Sequence, residues 1–497
     1  MAITRRQLLQ VSACGLAGTG VAVLAGCSTA STSTVTEPDE FDTPLPIPPL
    51  AESRVVDGIR TFALRAQEGT WEFQSGQHVS TWGFNGHYGG PTLRANVGER
   101  VAVEVTNALP EATSTHWHGM HLPAEMDGGP HQTVESGDRW RAEWTIRQAP
   151  ATLWYHPHPH GETERHVYHG LAGMFLLDDP DDPVSAALPH TYGVDDVPVV
   201  IADKSFDGGE LVIDDGGNEV GLLGDVVTAN GVAGAQLEVT TTLVRLRILN
   251  ASTARVYSLG VPGRTMTMIA SDGGLLSSPL EVERIRLSPA ERAEVLVALE
   301  PGEDVMLHSF EPELGSVAAP FAVGANDSFD VLRLVAADEL AGSGEVPQQL
   351  ASFGIDPDAV SVRREFELEG REINGAEMDM ARIDETVELE AIEMWTVINR
   401  NHFPHNFHIH DVQFEVRSID GEPPPPELAG RKDTVYLEPQ RHYELLLQFT
   451  DYTDAQMPYM YHCHLLRHED EGMMGQFVVV AQGGHADESM IAGHDHH

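Results

Sequence analysis

Histidine, the side chain most often used to bind transition metals, is concentrated in four short segments of this chain. Ten of the 25 histidines lie in these segments, and the only cysteine downstream of Cys27 lies in the last of them. The segments are His116-Trp-His118, His156-Pro-His158, His405-x-x-His408-x-His410, and His462-Cys463-His464 with His468 and Met473. Such clustering predicts metal binding.

The spacing within each segment suits an extended strand. Successive side chains of a strand point to opposite faces, so a His-x-His pair directs both rings to the same side. Pro157 and Pro159 favour the extended backbone that the second pair needs. In the last segment, Cys463 must then face away from its two histidine neighbours. One strand is therefore predicted to bind metal on both of its sides.

The donor types indicate copper. A cysteine thiolate with two histidines and a weak axial methionine is the ligand set of a blue-copper electron-transfer site. The residues that supply this set are His405, Cys463, His468 and Met473. The remaining eight clustered histidines suit a group of several copper ions. Structural zinc is the alternative, but zinc sites of that kind favour paired cysteines, and only one thiol is available.

The elements that must position these ligands are predicted to be strands. Short runs alternate apolar and polar residues, and they are separated by turn residues: Val101–Val105, Val244–Ile248, Val295–Leu299 and Leu445–Phe449. This period of two is typical of β-sandwiches, and a chain of 497 residues suggests about three domains. We expect an all-β protein with domains at residues 51–180, 190–340 and 355–482. The middle domain carries no histidine cluster.

Composition excludes several classes of protein. Hydrophobic residues make up 41% and charged residues 21%, which is globular rather than disordered. The net charge of −46 would repel phosphate backbones, so no nucleic-acid partner is expected. Anionic lipid headgroups are disfavoured for the same reason, unless a covalent anchor attaches the chain to a membrane.

The two ends of the chain are predicted to lie outside these domains. Residues 1–27 resemble a twin-arginine export signal, with Arg5-Arg6 before a short apolar stretch and a lipobox-like Leu24-Ala-Gly-Cys27. This predicts export and a lipid anchor at Cys27, on the outer face of the cytoplasmic membrane, at the cell surface or in the periplasm. An uncleaved membrane anchor is the alternative. Residues 28–50 predict an extended stalk, and residues 483–497 a polar tail containing histidine.

From about residue 80 to 482 the sequence resembles the multicopper oxidases, the family of laccases, bilirubin oxidases and copper efflux oxidases. The four histidine segments carry the resemblance, and Leu246-Arg-Ile-Leu-Asn-Ala251 and Glu291-Arg-Ala-Glu-Val-Leu-Val297 resemble the family's middle domain. The resemblance implies three cupredoxin-like Greek-key β-sandwich domains and four copper ions per chain. Type 1 copper would lie in the third domain, and a trinuclear cluster would lie between the first and third.

The resemblance also implies a role for each ligand. Type 1 copper would take His405, Cys463, His468 and Met473. Type 2 copper would take His116 and His408, and the type 3 pair would take His118, His156, His158, His410, His462 and His464. Asp127 and Glu469 match acidic positions that the family uses to relay protons, and Cys463 would carry electrons to the cluster. The neighbouring His121, His131, His160, His166 and His169 are predicted to support the site or lie at the surface.

The expected reaction couples four one-electron oxidations to the reduction of O₂ to two waters. A laccase-like donor, a phenol or aromatic amine, is the leading expectation. Copper efflux oxidases carry a Met-rich insert for Cu(I), whereas this chain has no methionine between Met306 and Met378 and has Asn401 and Phe403 upstream of His405. Cu(I) oxidation in copper tolerance is the alternative, and a non-catalytic surface copper-binding protein is a third. We expect a monomer.

Overall fold

The computed structural model describes residues 34–213 and 217–487. Strands form most of the regular structure there, and the α-helices are short: α1 Thr163–His169, α2 Pro183–Ala187 and α3 Leu466–Asp470. Single 3₁₀ turns lie at Ala124–Met126, Pro320–Val323, Pro357–Ala359 and Pro426–Leu428. No helix of the described residues has the length and apolar character needed to span a membrane. The predicted export signal and residues 488–497 of the tail lie outside the described residues.

The first β-sandwich follows a short strand, β1, at Thr43–Pro44. Its strands are β2 Ser53–Val56, β3 Ile59–Gln74, β4 Gln77–Phe84, β5 Leu93–Asn96, β6 Arg100–Asn107, β7 His116–His118, β8 Arg139–Thr145, β9 Ala151–His156 and β10 Gly173–Asp178. One sheet has the order β2-β3-β6-β8 with β4 on β3, and the other has the order β5-β10-β9-β7. Their inner faces enclose one apolar core that includes Val103, Trp117 and Phe175.

The second sandwich contains two six-stranded sheets. Its strands are β11 Asp196–Lys204, β14 Val226–Ala229, β15 Ala235–Thr241, β16 Leu243–Asn250, β17 Tyr257–Gly260, β18 Met266–Ser271, β19 Gly274–Val282, β20 Ile285–Leu287, β21 Arg292–Ala298, β22 Asp304–Ser309 and β23 Phe329–Ala341; β12 Phe206–Asp207 and β13 Glu210–Leu211 form a separate hairpin. The sheet orders are β1-β15-β23-β22-β17-β20 and β14-β11-β16-β21-β18-β19.

The third sandwich pairs a six-stranded sheet with a five-stranded one. Its strands are β24 Val362–Glu369, β25 Glu372–Ile373, β26 Glu385–Glu388, β27 Ile392–Asn399, β28 His405–Ile409, β29 Phe414–Ile419, β30 Arg431–Lys432, β31 Thr434–Leu437, β32 His442–Gln448, β33 Asp454–His462 and β34 Met474–Val480. The sheet orders are β25-β24-β27-β32-β29-β30 and β26-β34-β33-β28-β31. The predicted all-β architecture of three sandwiches is confirmed.

The predicted stalk is wrong from Thr34 onward, because this segment packs against the second sandwich. Strand β1 pairs in parallel with β15, and the amide of Leu45 donates to the carbonyl of Gln236 over 2.8 Å. Leu45 is buried in the core of that sandwich. The proline-rich composition does indicate an extended backbone, but extended backbone with an apolar residue can also complete the edge of a sheet.

Candidate metal centres

Four strands carry ligand histidines, and they form two antiparallel pairs. In the first sandwich β7 runs antiparallel to β9, with His116 opposite His156. In the third, β28 runs antiparallel to β33, with His408 opposite His462. Alternation along β7 places the His116 and His118 rings 5.7 Å apart on one side, while Trp117 enters the apolar core. Strand pairing thus holds the ligand histidines of each sandwich side by side.

The first group of donors lies within the third sandwich. The Cys463 sulfur is 3.4 Å from Nδ1 of His405 and 3.4 Å from Nδ1 of His468, and those two nitrogens are 2.9 Å apart. All three side chains are buried. His468 donates from Nε2 to the carbonyl of Glu219 over 2.9 Å, which leaves its Nδ1 facing the thiol. Met473 is buried beside them, and its carbonyl accepts from the amide of Cys463 over 3.1 Å.

Two further groups contain three histidines each and draw on both sandwiches. In one, Nε2 of His462 is 3.2 Å from Nε2 of His158 and 3.2 Å from Nε2 of His410. In the other, Nε2 of His156 is 3.3 Å from Nδ1 of His118 and 3.4 Å from Nε2 of His464.

His116 and His408 form a fourth group, a pair, beside the other three. The Nδ1 of His116 donates to the carbonyl of Asp127 over 3.0 Å, and that of His408 donates to the carbonyl of Asp433 over 2.8 Å. Their Nε2 atoms are buried and have no hydrogen-bond partner among the described residues. Two buried acceptors without donors are the signature expected of ligand atoms.

These donor sets fit metal ions. Burial lowers the pKa of His405 and His410 to about 3, so both imidazoles are neutral at neutral pH, as metal ligation requires. Neutral imidazole nitrogens facing one another present lone pairs that repel unless a cation lies between them. A first-row metal ion about 2.0 Å from each nitrogen would separate three of them by roughly 3.3–3.6 Å, close to the observed distances. Burial also raises the pKa of the Cys463 thiol to about 12, so a cation is needed to stabilise the thiolate.

The two predicted relay carboxylates contact the far side of the histidine rings. The Asp127 Oδ2 accepts from Nδ1 of His410 over 2.7 Å. The Glu469 oxygens lie 3.2 Å from Nδ1 of His158 and 3.2 Å from Nδ1 of His462. Burial acts to raise the pKa of each carboxyl, but the imidazoles beside it outweigh burial and hold the pKa below its ordinary value. Both groups are therefore anionic acceptors that orient the rings.

Asp433 and Arg292 complete the surroundings of the histidines, and sequence reasoning missed both. The Asp433 Oδ1 lies 3.1 Å from Nε2 of His118, and Arg292 donates to both Asp433 oxygens over 2.7 and 2.6 Å. Arg292 begins β21 of the second sandwich, which supplies no histidine to the donor groups. The second sandwich therefore contacts the histidines indirectly: its Arg292 holds Asp433 of the third sandwich, and Asp433 contacts His118.

The five neighbouring histidines that the sequence analysis left outside the ligand sets have other partners. His121 lies 2.8 Å from Asp411 and His131 lies 2.8 Å from Gln476. His166 lies 2.8 Å from Glu111, and His169 donates to a backbone carbonyl. His160 is exposed. None of them belongs to a donor group found among the described residues.

Comparison with known families agrees with this geometry. Three models described as multicopper oxidase match residues 65–182, 213–308 and 343–483, which together cover more than half of the chain. The chain belongs to the multicopper oxidase family. The three sandwiches are therefore cupredoxin-like domains, the family implies copper as the metal, and the reaction of a multicopper oxidase uses O₂ and a reductant.

Three relatives of this multicopper oxidase span nearly its whole length. The multicopper oxidase mco of Staphylococcus epidermidis is 35% identical over 87% of this chain and 91% of its own. The cell division protein FtsP of Pectobacterium atrosepticum is 35% identical over 96% of this chain and 99% of its own. The solved structure of a laccase-like multicopper oxidase, CueO from Ochrobactrum sp., is 34% identical, with a TM-score of 0.81 over 88% of this chain and 100% of that one.

Proposed function

We propose that this multicopper oxidase is a laccase-like enzyme, which takes single electrons from phenols or aromatic amines and reduces O₂ to two waters. The position of Cys463 carries the proposal. Its thiol faces His405 and His468, while the residues bonded to it on either side, His462 and His464, belong to two other donor groups. An electron delivered at the thiol therefore has a route of a few covalent bonds to both groups.

The donor groups support four copper ions per chain. Type 1 copper is assigned His405, Cys463, His468 and Met473. Type 2 copper is assigned His116 and His408, and the type 3 pair is assigned His118, His156 and His464 on one side and His158, His410 and His462 on the other. Bound copper would supply the one-electron redox chemistry that the protein side chains lack.

The surroundings of His405 and His468 favour an aromatic donor. Phe403 contacts both rings, one in a tilted and the other in an edge-on arrangement, with ring centroids 5.2 and 5.8 Å away, and it is partly exposed. Asn401 contacts Nε2 of His405 at 2.7 Å. A soft Cu(I) ion prefers thioether or thiolate ligands, which neither residue offers, whereas an aromatic ring can pack on Phe403.

Oxygen uptake by the fully copper-loaded enzyme tests the donor. One arm receives 2,6-dimethoxyphenol without added copper, and the other receives Cu(I). Uptake with the phenol alone supports the laccase-like reaction. Phenol turnover that appears only after copper is added would overturn it in favour of Cu(I) oxidation. No uptake in either arm would leave a non-catalytic copper-binding protein.

The Phe403→Ser variant separates donor binding from electron transfer. Removing the ring should raise the KM for the phenol by roughly 10-fold, about 1.4 kcal/mol, with a smaller effect on kcat, because the loss falls on binding. Phe321→Ser is the matched control, because Phe321 is a highly exposed phenylalanine of the second sandwich. An unchanged KM in Phe403→Ser would show that the donor binds elsewhere.

The proposal includes proton delivery by Asp127 and Glu469. Each is buried and contacts the Nδ1 side of ligand histidines, so a proton can pass along the carboxylate towards the centre. Asp127→Asn and Glu469→Gln should each lower kcat by roughly 10²-fold at constant copper content. The exposed Glu125, two residues before Asp127, gives the control variant Glu125→Gln. Loss of copper in proportion to activity would assign these residues a positioning role only.

Cu(I) oxidation remains the second candidate because carboxylates lie near the same donor group. Glu219, whose carbonyl holds His468, and Glu471 are exposed acidic residues that pair with Arg371 over 3.2 and 2.6 Å. A cuprous or cupric ion could displace the guanidinium. The double variant Glu219→Gln, Glu471→Gln would lower Cu(I) oxidation and leave phenol oxidation unchanged if this patch receives copper.

The site of action is also a proposal. Export by the twin-arginine route and lipid attachment at Cys27 would place the enzyme as a monomer on the outer face of the cytoplasmic membrane, at the cell surface or in the periplasm. Arg5, Arg6 and Cys27 lie outside the described residues and support this through sequence alone. Mass spectrometry of the mature N-terminus should find a lipid-modified cysteine, and an unmodified N-terminus elsewhere would exclude the anchor.

A further inference from the structure

A cavity lies away from the metal centres, between the first and second sandwiches. Its volume is ≈ 350 Å³, within the range of roughly 300–1,000 Å³ typical of small-molecule pockets. The walls are mostly apolar and aromatic, and they include Trp71, Phe84, Tyr88, Met174 and Val200. No metal-ligand candidate lines it.

The segment Pro46–Pro49 closes one side of this cavity, and the exposed Pro49, Asn85 and His87 lie where it meets solvent. Polar groups of the wall are mostly paired with one another. The indole of Trp71 donates to the carbonyl of Gly231 over 2.7 Å, and the amide of Asn230 donates to the carbonyl of Pro46 over 2.8 Å. The wall is therefore a built surface rather than a gap in packing.

Lys204 is the exception among these wall residues. It follows Val200 and Ala202 on the same face of β11, all three line the cavity, and Lys204 is 1% exposed. Its ammonium lies 4.2 Å from the ring centroid of Tyr168 and has no hydrogen bond or ion pair with any described residue. The hydroxyl of Tyr88, in the same wall, also has no such partner within the described part of the chain.

The other lysine of the chain shows what a buried ammonium normally requires. Lys432 is equally buried and pairs with Asp272 over 2.9 Å and with Glu291 over 3.1 Å. Lys204 has no equivalent: the neighbouring Asp203 acts on it electrostatically but forms no ion pair with it, and Oδ2 of Asp203 accepts from Arg255 and from the amide of Gly224. Burial accordingly lowers the pKa of Lys204 to about 7. An apolar side chain would fill the position without this penalty, so the ammonium calls for an anionic partner.

We propose that this cavity binds a small aromatic monocarboxylate, with its ring among the apolar and aromatic walls and its carboxylate paired with Lys204. Tyr88 offers a hydroxyl donor in the same space. The chemistry follows from the walls and the charge: flat apolar surfaces favour a planar ring, and one buried cation matches one anionic group. The site is separate from the donor site proposed above and does not depend on it.

Calorimetry with trans-cinnamate tests the proposal, because this probe has no phenolic hydroxyl to be oxidised. The full-length copper-loaded protein should bind one cinnamate per chain, and neutral cinnamyl alcohol should bind at least about tenfold more weakly. In Lys204→Met the cinnamate affinity should fall by about tenfold or more, while the affinity for the alcohol stays unchanged. Equal cinnamate affinities in the two proteins, or no binding to either, would overturn the proposal.

A second measurement guards against a folding defect in the variant. Two lysines give two side-chain signals in protein labelled with ¹³C at lysine Cε, and Lys204→Met assigns them. The Lys204 signal should titrate near pH 7, and its midpoint should rise when cinnamate is bound, because an anion favours the charged amine. Asp203, Tyr88, and Tyr168 and His169 of α1 also face this amine and are present in both states. The Lys432 signal should not move, and an unshifted Lys204 midpoint would exclude the pairing.

Discussion

The interior of the second sandwich and the metal centres bury ionisable groups in opposite ways. In the second sandwich, Arg247 meets Asp196 and Glu294, and Arg255 meets Asp203 and Asp327, so each cation is compensated by two carboxylates. At the centres, each ligand histidine has a ring nitrogen that faces the other donors of its group or has no protein partner, while most of the second ring nitrogens are held by a carbonyl or a carboxylate. The comparison teaches that burial alone does not mark a binding site. A convergent group of buried ring nitrogens without protein partners does.

The largest effect is expected from Cys463→Ser. A serine oxygen cannot replace the thiolate, so oxygen uptake should fall on the order of 10³-fold, equivalent to about 4 kcal/mol in the barrier. The blue absorbance should disappear, while the copper held by the eight ligand histidines outside the Cys463 group remains. Absorption spectra and copper analysis per chain measure both. A variant that stays blue would mean that Cys463 does not bind type 1 copper.

Arg255→Met should produce the next largest effect, on folding rather than catalysis. It leaves Asp203 and Asp327 buried without their shared cation, which costs about 3–5 kcal/mol in the free energy of unfolding. The loss should be the same with and without copper, as measured by urea unfolding. His464→Gln should destabilise only the copper-loaded protein. If His464→Gln weakens the copper-free protein as much as Arg255→Met does, the histidines are structural and the contrast fails.

A smaller change is expected from Arg292→Met, because Arg292 connects the second sandwich to the metal centres. Asp433 would lose the two hydrogen bonds from Arg292 and hold His118 less firmly, so copper affinity at the histidine groups should fall by about 10–100-fold. Competition with a chelator measures it, and the blue band should persist. Arg286→Met is the control, because Arg286 also bridges to the third sandwich, through Glu438, but contacts no ligand candidate. Equal copper loss in both variants would point to a general loosening of the interface.

The smallest effect concerns pH and His121, which joins the first and third sandwiches through Asp411 and Asp451. Burial acts to lower the pKa of His121, but the two carboxylates outweigh it and raise the pKa to about 9. Because the pKa is raised on folding, the stabilisation is complete below about pH 6.5 and is lost as the pH rises through 9.

His121→Asn should therefore cost roughly 1–2 kcal/mol at pH 6, a value discounted for the partly exposed Asp451, and almost nothing at pH 10. Urea unfolding of wild type and variant at the two pH values gives the difference. A cost that does not change with pH would show that His121 contributes packing rather than charge.

Much of the site could be predicted because its ligands are local motifs. A His-x-His pair needs only the alternation of a strand to define which way its rings point, and each segment carries that information within a few residues. The strands themselves follow from alternation, as the run Val101–Val105 in β6 shows. Asp127 and Glu469 were predicted from the resemblance to the family, in which acidic residues stand at these short distances in sequence from the ligands.

What could not be predicted depends on contacts between distant parts of the chain. Arg292 reaches Asp433 across 141 residues, and no periodic pattern relates them. Arg245 and Arg247 are the polar residues of the alternating run Val244–Ile248, yet both are buried because Glu294 and Asp196 pair with them there. The sequence could not single out Lys204 either, because its significance depends on the absence of an anionic partner in the folded protein. The folded part of the predicted stalk was also missed, because its partners, such as Gln236, lie far away in the sequence.

The distribution of ligands between the first and third sandwiches bears on how the protein comes apart. His156 and His464, 308 residues apart in sequence, belong to one donor group. A metal ion bound there acts as a cross-link that closes a very long loop, and binding that exists only in the folded state adds to its stability. The copper-free chain is free to unfold sandwich by sandwich. In the loaded chain the first and third sandwiches must be lost in a single cooperative step, so copper content sets the order of unfolding.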